Sequence, residues 1–147
     1  MSIKNSALAE KANGVYNLKS GDLYFFNDYF ISEINEGVNI SQTEVIEVIN
    51  LVHKHFGFNK PYGLISHHLK PYSIDLIDIL PLKNEFQFLF INAVVAYSDI
   101  TLKNFEIEKQ MLGFKGKIFR NMEAAVNWTS RMIKKAKSAN VGNSYLS

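Results

Sequence analysis

Runs of strand character alternate with segments of helical periodicity along most of this 147-residue chain. Three β-rich runs come first, and the turn-forming pair Asn27 and Asp28 between the second and third favours a hairpin. From there the predicted order is helix, strand, short helix, strand, helix, strand and helix. Strands that alternate with helices indicate an α/β (mixed α+β) domain whose mainly parallel sheet is preceded by an N-terminal antiparallel hairpin.

Capping signals and apolar periodicity locate the helices. Ser41 and Glu44 fit a capping box ahead of an apolar repeat that stops before Gly57. A second helix is predicted over about residues 101–112, and Asn121 is a suitable N-cap for a third. The residues of the third helix predicted to face the core are Ala125, Trp128 and Met132.

The chain is predicted to form one domain over residues 14–137. Its length is sufficient for one hydrophobic core and short for two, and no linker or repeat divides it. Residues 1–13 are polar and contain alanine, so we expect an N-terminal arm or short helix outside the core. Residues 138–147 are predicted to form a polar C-terminal tail.

Composition argues against several classes of function. The chain has no cysteine, which removes disulfides, thiolate catalysis and cysteine-type zinc sites. A net charge of +2 gives no whole-protein argument for nucleic-acid or membrane binding. The most apolar window, residues 86–97, is shorter than the roughly 20 apolar residues of a membrane helix. The first residues lack the apolar segment of a secretory signal. We therefore expect a cytoplasmic protein without a nucleic-acid partner or membrane insertion.

The stretch LISHHLKPYS contains half of the histidines, His67 and His68, where an apolar run breaks into a loop. Neighbouring residues on a strand point to opposite faces, so this pair is poorly placed to clamp one metal ion. The nearest acids along the chain, Asp75 and Asp78, are not at ligand spacing. We predict a loop histidine pair without a metal, with partner contacts or pH sensitivity as the alternative.

The sequence contains no other recognisable motif for catalysis or cofactor binding. The glycines of GFKGK lack P-loop spacing and are better explained by a helix end followed by a strand. No G-x-S-x-G nucleophile elbow is present, and Ser66 beside His67 does not make a triad. We therefore expect no cofactor, no catalytic residue and no enzymatic activity.

Four strings in order carry a family resemblance: INEGVNISQTEVIEVI, FGFNKPYGLISHHLKPYSID, EIEKQMLG and IFRNMEAAVNW. Their order and spacing resemble the SpoIIAA-like branch of STAS-type domains, above all the stand-alone versions of Bacteroidetes-type bacteria. The resemblance covers about residues 14–137. It implies a four- or five-stranded mixed sheet with helices packed against it.

The resemblance also implies regulation through a protein partner, since related STAS domains include anti-sigma-factor antagonists. The partner surface would lie after the predicted strand and comprise His67, His68, Tyr72, Ser73 and Asp75. The antagonists carry a phosphorylated serine at the start of a helix, and Ser73 is the candidate by position. The acidic-Ser-Ser/Thr-Gly pattern of those switches is absent, and a plain N-cap is the preferred interpretation of Ser73.

Two further possibilities follow from aromatic and apolar residues. A homodimer would form if Tyr24 and Tyr29 were exposed on an uncovered face or edge of the sheet. The related fold of CRAL-TRIO lipid-transfer proteins implies instead a carrier or sensor of a small apolar ligand. The predicted ligand-lining residues are Phe105, Met111, Leu112 and Trp128. A pocket of about 300 Å³ or more would favour the ligand over the partner.

Overall fold

The computed structural model describes residues 1–139, apart from the side chain of Ile100. In chain order the elements are α1 (Ala7–Glu10), β1 (Gly14–Leu18), β2 (Gly21–Phe25), β3 (Tyr29–Ile34), β4 (Asn39–Ile40), α2 (Gln42–Phe56), β5 (Tyr62–His67), β6 (Ser73–Ile74), α3 (Leu76–Ile79), a 3-10 helix (Leu80–Phe86), β7 (Leu89–Val95), α4 (Asp99–Leu112), β8 (Lys115–Phe119) and α5 (Met122–Ala139). No helix of this part of the chain is both long and apolar enough to cross a membrane.

Six strands form one mixed sheet in the order β1-β2-β3-β5-β7-β8. The first three are antiparallel neighbours, whereas β3, β5, β7 and β8 run parallel. The short strands β4 and β6 form a separate parallel pair. The predicted α/β class is confirmed, as is the order of the six main-sheet strands and the helices between them, whereas β4 and β6 were not predicted. The sheet has more strands than the four or five that the family resemblance implies.

Helices cover both faces of the sheet because strand residues alternate between the two sides. On one face, Phe30 of β3 packs with Val52 and Phe56 of α2. On the other face, Ile31 of β3 belongs to the cluster that contains Ala125 of α5. The first face is also covered by α3, the 3-10 helix and α4. The sheet therefore separates α5 from the other long helices.

The local helix signals are confirmed. The Glu44 carboxylate accepts hydrogen bonds from the backbone N–H and the hydroxyl of Ser41, at 2.9 and 3.0 Å. Asn121 caps α5 by accepting from the N–H of Ala124 at 2.7 Å. Gly113 ends α4 with a φ of 72°, a backbone conformation that favours glycine.

The core-facing stripe of α5 differs from the predicted repeat. Ala125 is buried as expected, but Trp128 and Met132 are only half-buried. The buried positions of this helix are Ala125, Thr129, Ile133 and Ala136. Small residues let α5 approach the strands closely: a Cβ on Gly63 of β5 would lie only 2.8 Å from Cγ2 of Thr129.

The expectation that residues 1–13 lie outside the core is wrong. Ile3 is 5% exposed and belongs to the cluster on the α5 side of the sheet. Leu8, Ala9 and Ala12 pack against the same cluster. At the other end, Ser138 and Ala139 of the predicted tail belong to α5, and residues 140–147 lie outside the described residues.

Tyr24 and Tyr29 do not form an exposed aromatic surface. Their side chains are 3% and 8% exposed, and both belong to the cluster on the α5 side of the sheet. The N-terminal segment covers this part of the sheet. The two tyrosines therefore do not form the exposed self-association surface that was predicted around them. The predicted homodimer has no support from them.

Candidate functional site

A cleft of about 600 Å³ opens where the parallel strands β5 and β7 end. Its walls come from the segment after β5, the turn after β7, and α4. They are formed by His68, Leu69, Lys70, Pro71, Tyr72, Ser73, Ile74, Leu76, Tyr97, Ser98, Thr101, Asn104, Ile107 and Glu108. Open α/β sheets commonly bind ligands at the carboxyl ends of their strands. This cleft is therefore the first place to look for a site.

A smaller cavity of about 170 Å³ adjoins the cleft, between the sheet and the helices of its α2 face. Most of its lining is apolar, with Val45, Leu64 and Phe114 as examples. On its floor, the buried Ser66 and Asn92 side chains hydrogen-bond at 3.1 Å. Four residues line both the cavity and the cleft: His68, Tyr72, Ile74 and Glu108.

Glu108 is the ionisable acid in this shared wall. Its side chain is half-buried, and within residues 1–139 it makes no hydrogen bond or ion pair. Burial raises the pKa of Glu108 to about 7. Its charge in turn adds to the effect of burial in raising the pKa of Tyr72. A carboxyl group without a partner, at the junction of two cavities, is a candidate functional group.

His68 and Tyr72 form the aromatic part of the shared wall. Their rings are stacked with centroids 4.5 Å apart, and the Tyr72 hydroxyl lies 2.8 Å from Nε2 of His68. Burial, and next the charge of His67, lower the pKa of His68 to about 4. His68 is therefore neutral at neutral pH.

A hydrogen-bonded chain runs from Glu33 through His67 to Tyr97 at the rim of the cleft. Oε2 of Glu33 lies 2.8 Å from Nδ1 of His67, and Nε2 of His67 lies 3.0 Å from the Tyr97 hydroxyl. Glu33 and His67 are 6% and 2% exposed, whereas Tyr97 is 39% exposed. The chain thus joins a buried carboxylate to a phenol that lines the cleft.

The N-terminal segment completes the surroundings of Glu33. The Ser2 hydroxyl donates to Oε1 at 2.6 Å and the Ile3 N–H donates to Oε2 at 2.9 Å. Burial opposes the charged form, but the hydrogen bonds from His67, Ser2 and Ile3 outweigh it and lower the pKa of Glu33. Nδ1 of His67 thus donates to the ionised Glu33, and Nε2 of the same ring pairs with the Tyr97 hydroxyl.

No family model matches this sequence, and no curated protein matches it. The structure is similar to the crystal structure of an uncharacterised DUF3478-family protein with a SpoIIAA-like fold from Shewanella loihica PV-4, with a TM-score of 0.52. The match covers 79% of this chain and 90% of that one, at 11% sequence identity. The chain has a SpoIIAA-like fold. The predicted SpoIIAA-like resemblance is confirmed at the level of the fold.

Within the SpoIIAA-like fold, His67 is not a loop residue. It ends β5, is buried, and points to the face opposite His68, as neighbours on a strand do. His67, which was predicted to contact a partner, is 2% exposed, and both of its ring nitrogens are hydrogen-bonded, to Glu33 and Tyr97. His68 is also half-buried and bonded to Tyr72 rather than free in a loop.

The structure divides the other predicted partner residues. Tyr72 lines the cleft, whereas Ser73 and Asp75 are exposed. Asp75 is the N-cap of α3, accepting from the N–H of Asp78 at 3.2 Å. Ser73 lies in β6 instead, and its hydroxyl donates to Asn39 at 2.8 Å, so it is not the cap. Its phosphorylation stays a prediction.

The four predicted ligand-lining residues do not line one pocket. Phe105 and Leu112 pack on the α2 face of the sheet, whereas Trp128 packs on the α5 face. Met111 and these three residues are all absent from the walls of the cavity and the cleft. Of the four, only Phe105 is fully buried, and apolar residues at helical spacing do not show which face of the sheet each helix covers.

Three residues of the site were missed from the sequence. Glu108 follows Phe105 by three residues and precedes Leu112 by four, so the three lie on one face of the helix. An acidic residue on an otherwise apolar helix face is a pattern that could have identified Glu108. Glu33 is the one charged residue in the predicted strand run YFISEIN, residues 29–35. Tyr97 is the last residue of the most apolar window, at the strand end where ligand sites are commonly found.

Proposed function

We propose that this SpoIIAA-like domain binds a small amphipathic molecule, with its apolar group in the cavity and its polar group in the cleft. The observation that carries the proposal is that the two spaces adjoin and share His68, Tyr72, Ile74 and Glu108 in their walls. The proposed role is that of a carrier or sensor that binds and releases its ligand without chemical change.

The volumes restrict the size of the ligand. The cavity of about 170 Å³ is smaller than the roughly 300 Å³ of a typical whole ligand pocket. It is comparable to the cavity of about 150 Å³ that holds benzene in an engineered protein. The cleft has room for a larger polar part. The proposed ligand thus carries an apolar group of about the size of a phenyl ring, not a long lipid chain.

The test is native mass spectrometry of the protein purified gently from its own host. We expect a small molecule to co-purify with the wild-type chain. The half-buried Ile74 lines both spaces, so Ile74→Trp should fill the junction and abolish the bound mass. Ile77 is 75% exposed, and Ile77→Trp is the matched control that should retain it. A wild-type protein that is free of any small molecule would contradict the proposal.

A protein partner is a second candidate because of one exposed apolar residue. Ile77 is 75% exposed on α3, beside the predicted partner residues Ser73 and Asp75. The same native spectra would then contain a second polypeptide, or a doubled mass for a homodimer. Ile77→Asp should remove it, whereas Ile46→Asp, at a residue 46% exposed on α2, should not. Equal loss in both variants would argue against this surface.

A further inference from the structure

We propose that the polar group of the ligand is a cation, an ammonium group that pairs with the Glu108 carboxylate in the wall between cavity and cleft. This inference rests on the proposed function and specifies the chemical class of the ligand. The complete ligand would be an amine with an apolar group of about phenyl size.

The first argument is the lack of a partner for Glu108. Burying a carboxylate without a hydrogen bond or counter-charge is unfavourable, and native proteins generally supply one or the other. Within residues 1–139, Glu108 has neither. Its position on both walls places a half-buried carboxylate that has no protein partner among the described residues where a ligand head group would enter. An ammonium group supplies both the charge and the hydrogen-bond donors.

The second argument is the aromatic surroundings of the same wall. Tyr72 and His68 present stacked rings to the cavity and the cleft, and Tyr97 adds a third ring at the rim. Cations are stabilised over aromatic faces within about 6 Å. A carboxylate together with aromatic rings is therefore suited to an ammonium group, whereas an anion would meet the ionised carboxylate.

Other charged or titratable groups do not neutralise Glu108. Those in the walls of the two spaces are Glu44, His68, Lys70, Tyr72 and Tyr97. Glu44 is bonded to Ser41, and the low pKa of His68 keeps it uncharged at neutral pH. Lys70 is exposed and forms no ion pair with Glu108. Burial alone accounts for the raised pKa of Glu108.

The experiment compares three probes with one phenylethyl group and different head groups. They are 2-phenylethylamine, 2-phenylethanol and 3-phenylpropionate, titrated calorimetrically into the full chain at pH 8. We expect the amine to bind about tenfold more tightly than the alcohol, the increment of roughly one charge-assisted hydrogen bond, and the carboxylate to bind most weakly.

Two substitutions on α4 isolate the carboxylate. Glu108→Gln should weaken amine binding about tenfold and leave alcohol binding unchanged, because it removes the charge and keeps the shape. Glu106→Gln, at an exposed position on the same helix, is the matched control and should change neither. Lowering the pH from 8 to 6 should weaken amine binding to the wild type about tenfold, because protonated Glu108 must first ionise.

The outcomes separate this inference from the proposed function. If the alcohol or the carboxylate binds as tightly as the amine, or if Glu108→Gln leaves amine binding intact, the cation assignment is overturned. Probe binding that Ile74→Trp abolishes would still support the cavity in that case. If none of the three probes binds, both the cation and the proposed cavity site are overturned.

Discussion

Glu33 and His67 lie side by side on the parallel strands β3 and β5, with Oε2 and Nδ1 2.8 Å apart in a buried site. The strand register accounts for this contact, since the preceding residues Ser32 and Ser66 are paired directly. Through Ser2 and the Tyr97 hydroxyl, the same pair also connects the N-terminal segment to the rim of the cleft. The same buried pair therefore both stabilises the fold and positions Tyr97 at the site.

We expect Glu33→Gln to lower the free energy of unfolding by roughly 3 kcal/mol at pH 7, because removing one member of a buried charged pair leaves the other without its counterpart. Urea unfolding measures this loss. Glu36→Gln, at an exposed position just beyond the same strand, is the control and should change the free energy by less than about 0.5 kcal/mol. Equal effects of the two substitutions would contradict the assigned role.

The wild-type contribution of Glu33 should also depend on pH. Because the pKa of Glu33 in the folded protein is lowered from 4.5, the unfolded chain binds the proton more readily. The stabilisation is then fully present above pH 4.5 and is lost as the pH falls through the depressed pKa. Urea unfolding from pH 7 down to pH 3 should show the wild type and Glu33→Gln converging; a constant difference would count against this account.

Glu108→Gln should have the opposite effect and stabilise the protein at pH 8. The folded-state pKa of Glu108 is raised from 4.5 to about 7, so wild-type stability falls as the pH rises through that window. Glutamine does not ionise, so the variant should be more stable by about 1–2 kcal/mol at pH 8 and equal to the wild type near pH 4. Thermal unfolding at the two pH values, with Glu106→Gln as control, would detect no difference if Glu108 were solvated.

His68 should remain neutral well below the pH at which histidines ordinarily protonate. Its pKa is lowered from 6.5 to about 4 by burial and by the charge of His67. The ring nitrogens observed by NMR should therefore change little between pH 8 and pH 5.5, and the same ring should titrate near pH 6.5 once urea unfolds the chain. A midpoint near 6.5 in the folded protein would place His68 in solvent.

Gly116→Ala should destabilise the contact between β8 and α4. A Cβ at this position would overlap Cζ of Phe105 and lie 2.7 Å from the backbone oxygen of Asn92, and the backbone cannot shift at low cost. We expect a loss of about 1–3 kcal/mol in the free energy of unfolding, as in other overpacked cores. Lys115→Ala, at an exposed residue of the same strand, serves as the control in urea unfolding. Equal stability of the two variants would mean that α4 packs more loosely than described.

Signals within a few residues were sufficient for most of the secondary structure. Helix caps and hairpin turns depend on contacts with backbone groups a few residues away, as at Ser41, at Asn121 and at the turn of Asn27 and Asp28. For that reason the element order and the α/β class could be predicted. The pairing of β4 with β6 could not, because two residues are too few to show a period.

The candidate site depended on tertiary structure. The sequence singles out His67 as a candidate site residue, but its partner Glu33 is 34 residues away. Only the parallel register of β3 and β5 brings the two side chains together. Likewise, helical periodicity predicts that Phe105 and Trp128 face the core. The direction in which the chain crosses over the sheet places these two side chains on opposite faces of it. Local propensity and hydrophobic periodicity are properties of the sequence itself. Strand register, helix placement and the resulting burial of Glu108 arise only when distant segments pack together.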